Sequence, residues 1–384
     1  MMQRLARALC VGCLGGILAA CGGSPPPSQA PGGTGAATPG AGTAAAPGAA
    51  TAPATPAASA ATTAGSRLYV SDETGGAIVV VDPEARKAVQ RIAVGKRPRG
   101  IHLSPDGKLL YVALSGSPIA GPGVDESKLP PADREADGIG VVDIASGALV
   151  KKYNSGRDPE TFALSADGKM LYVSNEETSE MSALDLTSGN VVGRVKVGDE
   201  PEGVTIRPDG TLVYVACEGS SLVYVVDRHT LTVVGRIPTP GRPRGIIFTP
   251  DGSAGFISDE TGGAVVSFDP ATNTPTTTIK FPKDPSALVL PRPMGLAVTP
   301  DGAHVFVSLG RFKAIAEISV AQKTIERTLP DIGGRPWGIT LTPDGHTLYS
   351  ANGSSGDVSV VDVESGKVTT RIAVGGSPWG VGLK

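Results

Sequence analysis

The sequence predicts an all-β fold, a seven-bladed β-propeller of four-stranded antiparallel blades closed by the C-terminal strand joining the N-terminal blade. Three observations predict it. Glycine and proline are abundant, at 52 and 33 of 384 residues, which favours turns over long helices. A Pro-x-Gly step precedes an apolar run six times, as RPRGIHLS, EPEGVTIR, RPRGIIFT, RPMGLAVT, RPWGITLT and SPWGVGLK, and DPETFALS is a seventh copy with Thr161 in place of Gly. Between these steps the chain cycles through short apolar runs and Pro-Asp-Gly-type turns, with a base period of about 42 residues.

The N-terminal region falls outside this pattern. Residues 1–20 read as an export signal, with Arg4 and Arg7 ahead of a short apolar stretch. The stretch ends in Leu18-Ala19-Ala20-Cys21, which resembles a bacterial lipobox, so Cys21 is the expected lipidation site. By the same resemblance, Gly22 implies sorting to the outer membrane, on the periplasmic side or the cell surface. Residues 21–65 are almost wholly Ala, Gly, Pro, Ser and Thr, too poor in large apolar groups to offset the entropy of ordering. A disordered tether is expected there, with the propeller occupying 66–384. Cys217 is the one cysteine beyond that tether, so no disulfide is expected to staple the domain.

Each repeat holds an apolar strand, a turn such as Ser104-Pro105-Asp106-Gly107, a second strand such as LLYVAL, a loop, a third strand such as IGVVD, and a fourth after another turn. The middle strands are apolar at consecutive positions, as expected where both sheet faces are covered. The repeats begin with a second strand, LYVSD, and end with a first strand, SPWGVGLK. Pairing these completes a seventh blade.

The segments LYVSN, VYVAC, PDG and VVD resemble the YVTN family of bacterial propeller repeats. SGRDPETFALSADGKMLYVSNEE, DEPEGV and NGSSGDVSVVDVESGKVTTRIAVGGSPWGV are similar to β-propeller proteins associated with pyrroloquinoline-quinone (PQQ)-dependent catabolism. The resemblance covers residues 67–384 and implies an exported propeller that accompanies quinoprotein oxidation; it implies no catalytic residue. The chain also lacks the tryptophan-rich docking repeats that resemblance to quinoprotein dehydrogenases would imply. The insertion Gly116–Gly138 and the tether depart from the plain family pattern.

Propeller loops alternate between two faces. Both insertions, Gly116–Gly138 and the residues around Phe281–Pro291, fall on the face that also carries the Pro-x-Gly steps, and function concentrates where loops lengthen. The central residues of those steps should form a ring: Trp379, Arg99, Glu160, Glu202, Arg244, Met294 and Trp337. Around it stand the residues at the ends of the second strands: Asp72-Glu73, Asn175-Glu176, Cys217-Glu218, Asp259-Glu260 and Asn352-Gly353. Arg99, Glu160, Glu202, Arg244, Met294, Trp337, Trp379, Asn175, Glu176, Glu218, Asp259 and Glu260 are therefore the candidate ligand- or partner-binding residues. In the plainer reading, Arg99 and Arg244 neutralise Glu160 and Glu202 between blades and the tryptophans plug the channel.

Net charge of −3 argues against a strongly basic nucleic-acid binder. Single-stranded nucleic acid could still be held by Arg97, Arg99, Arg242, Arg244, Arg292 and Arg335 with tryptophan stacking, but the acidic arc counts against it. Asp158, Glu160, Glu176, Glu200, Glu202 and Glu218 crowd two blades and could hold a hard cation, yet the spacing matches no cation-binding loop, and neither a metal nor a cofactor is expected. His304 and His346 follow turns on the opposite face and His229 lies between outer strands, so the histidines should not converge; His102 is expected to be hydrogen-bonded between blades. Cys217 is expected to be a small packed residue. No Walker loop, G-x-G-x-x-G, H-E-x-x-H or G-x-S-x-G occurs. The expected function is non-catalytic: binding or scaffolding of a protein partner or small amphipathic ligand, by a monomer touching the membrane only through its lipid. The rival is a lactonase-like or other hydrolase using carboxylates such as Glu160 and Glu202 as acid and base.

Overall fold

The computed structural model describes residues 65–119, 125, 128–282 and 289–384. The expected signal peptide, Cys21 and nearly all of the 21–65 segment lie outside these residues, as do the centres of both insertions. The described residues form seven four-stranded antiparallel sheets. Blade 1 has β1 (Leu68–Asp72), β2 (Ala77–Asp82) and β3 (Lys87–Ala93). The next six blades begin with β4 (Pro98–Leu103), β8 (Pro159–Leu164), β12 (Pro201–Ile206), β16 (Pro243–Phe248), β20 (Leu296–Val298) and β24 (Pro336–Leu341). The last strand, β28 (Pro378–Leu383), returns to blade 1 and pairs antiparallel with β1, Val70 opposite Val381. Backbone bonds Arg67 N to Lys384 O (3.1 Å) and Lys384 N to Arg67 O (2.9 Å) extend this ladder. Each blade's innermost strand lies against the next, including β28 against β4, so the ring is closed. The fold is a seven-bladed β-propeller.

Burial explains the sequence pattern. The third strands, such as AIVVVD of β2, are buried at nearly every position, whereas the outermost, such as KVTTRIA at Lys367–Ala373, alternate because one face meets water. Apolar clusters lie between neighbouring blades. Leu68, Val70, Val79 and Val81 of blade 1 pack with Tyr349, Ala351 and Val358 of blade 7, so the seam at the chain ends is as apolar as the others.

The Pro-x-Gly glycine has a steric cause. A Cβ on Gly338 would sit 2.7 Å from the Trp379 carbonyl oxygen, and one on Gly380 would sit 2.8 Å from that of Arg99. Inner strands of adjacent blades therefore approach too closely for a side chain. Where Thr161 replaces the glycine, its hydroxyl donates to the Glu202 carbonyl at 2.5 Å and so uses the same gap.

Two expectations need correction. The innermost strand of blade 6 is only Leu296–Val298, so Met294 precedes it. Ser308 takes over the pairing: its carbonyl accepts Met294 N–H (2.9 Å) and its hydroxyl accepts Gly295 N–H (3.0 Å). His102 is exposed and does not sit between blades; its Nδ1 lies 2.7 Å from the neighbouring Leu103 carbonyl. Cys217 is packed as expected, its thiol pushed up to about 12 by burial.

Candidate functional site at the mouth of the channel

Serine hydroxyls of the second strands help fix the ring residues. Ser71 donates to the Arg99 carbonyl (2.6 Å), Ser174 to that of Glu202 (2.6 Å), Ser258 to that of Met294 (2.5 Å) and Ser308 to that of Trp337 (2.7 Å). Each bond crosses from one blade to the next and sets the direction from which the ring side chain leaves.

Two chemically different arcs result. In the charged arc, Arg99 pairs with Glu160 and, at 2.9 Å, with Glu73. Arg244 serves Glu202, Glu218 and, at 2.7 Å, Glu260. Outside them, Arg97 approaches Glu73 (3.4 Å) and Asp158 (3.9 Å), Arg242 binds Glu218 and Glu200 (3.0 Å), and Arg292 binds Glu260 (3.0 Å). Burial works against the Arg244 charge, but Glu202 and Glu260 outweigh it and raise its proton affinity. Burial also raises the Glu202 carboxyl, helped by the neighbouring Glu176 and Glu260 and opposed by Arg244 and Arg99. Glu260, between Arg244 and Arg292, is held low despite its burial.

Glu176 stands apart. It lies beside Asp158 and Glu160, with carboxylate oxygens of the three within 4.8 Å of one another. Among the described residues it has no ion-pair partner, and its carboxyl is raised by burial and by Asp158. Those three groups have the oxygen chemistry of a hard-cation site, although Arg97 and Arg99 already engage Asp158 and Glu160.

The other arc is aromatic. Trp337 and Trp379 stack with centroids 5.8 Å apart at 25°, both partly exposed. The Arg335 guanidinium lies over Trp337 at 4.4 Å, with Arg244 at 5.5 Å. Met294, the ring residue between Arg244 and Trp337, is buried. Between the blade 1 and blade 2 rims, a cleft of about 640 Å³ is lined by Glu73, Arg97, Ser117, Ile119, Pro130 and Asp133. The Lys96–Asp133 pair at 2.7 Å ties the first insertion to its edge.

The structure thus brings Arg99, Glu160, Glu176, Glu202, Glu218, Arg244, Glu260, Trp337 and Trp379 together around one opening. Asn175 and Asp259 are fully buried and turned to internal work. The Asn175 amide donates to Ser182 Oγ at 2.8 Å, and the Asp259 carboxylate accepts Gly241 N–H at 2.7 Å and Gly262 N–H at 2.9 Å. The repeat pattern points to no cluster on the opposite side, where His304 Nε2 lies 3.1 Å from Glu326 and 4.0 Å from Glu317, itself paired with Arg327. The serines near the ends of the second strands and the glycines at the Glu73 position stand at repeated positions of the seven copies, and in that alignment the serine bonds and the unneutralised Arg335 have their signal.

A family model described as a seven-bladed β-propeller lactonase matches residues 148–233, which contain Glu160, Glu176, Glu202 and Glu218. Antigen Lp49 of Leptospira interrogans serogroup Icterohaemorrhagiae serovar copenhageni (strain Fiocruz L1-130) is 29% identical over 110 residues, 29% of this chain and 23% of that protein. The chain therefore spans about a quarter of the length of the curated relative it matches. A chain of the Kuenenia stuttgartiensis hydrazine synthase structure superposes with a TM-score of 0.47 at 20% identity, over 69% of this chain and 95% of that one.

Proposed function

We propose that this chain is a non-catalytic binding or scaffolding protein of the bacterial envelope, anchored through lipid on Cys21, with the channel mouth as its recognition face. One observation carries this reading. The ring carboxylates Glu160 and Glu202 and their neighbours Glu218 and Glu260 are paired with arginines, which supports a rigid frame, while the aromatic arc is left partly exposed beside it. Partly exposed, adjacent tryptophans are typical contact anchors. With its resemblance to YVTN and PQQ-associated propellers, the chain fits an accessory place in periplasmic quinoprotein oxidation, holding a protein partner or a small amphipathic ligand.

Two measurements test this. Labelled palmitate should enter the full chain and fail to enter Cys21→Ser. Quinoprotein dehydrogenase or cytochrome c copurifying from the native host should be lost on combined alanine substitution of Trp337, Trp379 and Glu160, with the melting transition retained. Unchanged copurification overturns the assignment of the face.

A second reading has its own support: the lactonase model falls on the acidic blades, where Glu176 holds a raised carboxyl with no ion-pair partner among the described residues. Such a group suits a general acid in ester or lactone opening. Lactone turnover by the purified protein that disappears in Glu176→Gln would establish this reading over the first.

A further inference from the structure

The seven blades serve as one another's controls. Six arginines flank or occupy the ring positions: Arg97, Arg99, Arg242, Arg244, Arg292 and Arg335. The first five each meet at least one carboxylate. Arg335 meets none among the described residues; its side-chain contact is the face of Trp337.

The cause lies in the residue that aligns with Glu73 of blade 1 in each repeat. Blades 1, 3, 4 and 5 carry Glu73, Glu176, Glu218 and Glu260 there, whereas blades 6 and 7 carry Gly310 and Gly353. A Cβ on Gly353 would sit 3.0 Å from the Trp337 indole. The indole therefore occupies the space through which a neutralising carboxylate would extend. Nearby, Arg311 is exposed and also without a carboxylate among the described residues. Arg335 is half-buried, and burial together with Arg311 and Arg244 weakens its hold on its proton. A partly desolvated charge without a counter-ion is unfavourable in the unliganded protein and is relieved by an anion from outside.

We propose that Arg335, Trp337 and Trp379 form a binding site for a small amphipathic carboxylate, its flat apolar body on the indoles and its carboxylate along the edge of the Arg335 guanidinium. The inference rests on the channel mouth being the recognition face and names the ligand chemistry. The Arg335 guanidinium lies over the Trp337 ring and makes no ion pair among the described residues, so its planar fork of N–H donors is left to engage both oxygens of a carboxylate. The indoles supply apolar planar surface beside it.

The chain has two tryptophans, and both are in this site, so the intrinsic fluorescence of the full chain reports on it directly. Phenylacetate is the probe, with phenylacetamide, cyclohexylacetate and inorganic phosphate as comparisons. Saturable change is expected with phenylacetate. Binding should be weaker by about tenfold or more for the neutral amide and in Arg335→Gln, the effect of losing a charge-assisted contact, with Arg335→Lys intermediate. Cyclohexylacetate should bind less well than phenylacetate. Equal affinity for acid and amide, undiminished binding by Arg335→Gln, phosphate binding as tight as phenylacetate, or no saturable response to phenylacetate each overturns the proposal. Loss of partner copurification on ring substitution, alongside failed carboxylate binding, would leave the recognition face standing and remove only this ligand class.

Discussion

Glu176 shows how one residue's surroundings become a measurable pH dependence. Burial and the neighbouring Asp158 raise its carboxyl above the usual glutamate range, so the folded protein binds this proton more tightly than the unfolded chain does. The stabilising contribution is full below the unfolded value and lost as pH rises through the folded one. Glu176→Gln, which keeps the shape and removes the ionisation, should therefore melt higher than the parent at pH 7, and the gap should narrow toward pH 4. Thermal melts across that range check it; a parent that melts higher at pH 7 would contradict it. Legibility at this scale was uneven. Arg99–Glu160 and Arg244–Glu202 were readable as neutralising pairs because the Pro-x-Gly register puts them in one ring. Asn175 and Asp259 looked equivalent to Glu176 and Glu260 in the sequence, but side chains alternate across a strand and its turn, and these two point inward to backbone and serine partners.

At the scale of the turn, the recurring Pro-Asp-Gly-type segment is a small electrostatic device. Asp106, Asp167, Asp251, Asp301 and Asp344 are held below the usual aspartate range, first by hydrogen bonds from Ser104, Ser165, Thr249, Thr299 and Thr342, then by backbone N–H groups. Blade 4 does this differently: Arg207 replaces the hydroxyl and takes Asp209 from 3.8 down to about 2. A depressed folded value gives stability that is present above 3.8 and lost as pH falls toward 2. Asp209→Asn should thus lower the melting temperature at pH 6 and differ little from the parent near pH 2. A constant gap across that range would show that the turn's geometry, and not its charge, matters. The sequence made these turns plain because glycine at a positive φ, such as Gly107 at 65°, is required there. It did not reveal the shortened inner strand of blade 6, since the Pro293-Met294-Gly295 spelling matches its neighbours and the irregularity follows the inserted residues ahead of it.

There are six such turns for seven blades because the seventh innermost strand is the end of the chain. Among the described residues, the N-terminal blade is therefore the one whose inner strand is joined to it by hydrogen bonds and packing without a covalent turn. Its seam includes the β1–β28 ladder, the Glu73 N to Ser377 O bond at 3.0 Å, the Asp72 carboxylate accepting Ser377 N–H at 2.8 Å, and Val381 and Leu383 against the blade 1 and blade 7 core. Removing residues 378–384 would strip the inner edge of β1, uncover that core and take Trp379 from the aromatic arc. Because a ring distributes strain around every interface, the loss should not stay local. The truncated chain should melt at a clearly lower temperature, with a broadened transition and increased binding of a hydrophobic dye. It should also lose the tryptophan response to phenylacetate even below its new melting point. Gly380→Ala offers a milder test of the same seam, since its methyl would press on the Arg99 carbonyl; a melting temperature lowered without loss of secondary structure is expected. A truncated chain that melts like the parent would mean that the ring is held by its other six interfaces and that the terminal strand only caps it.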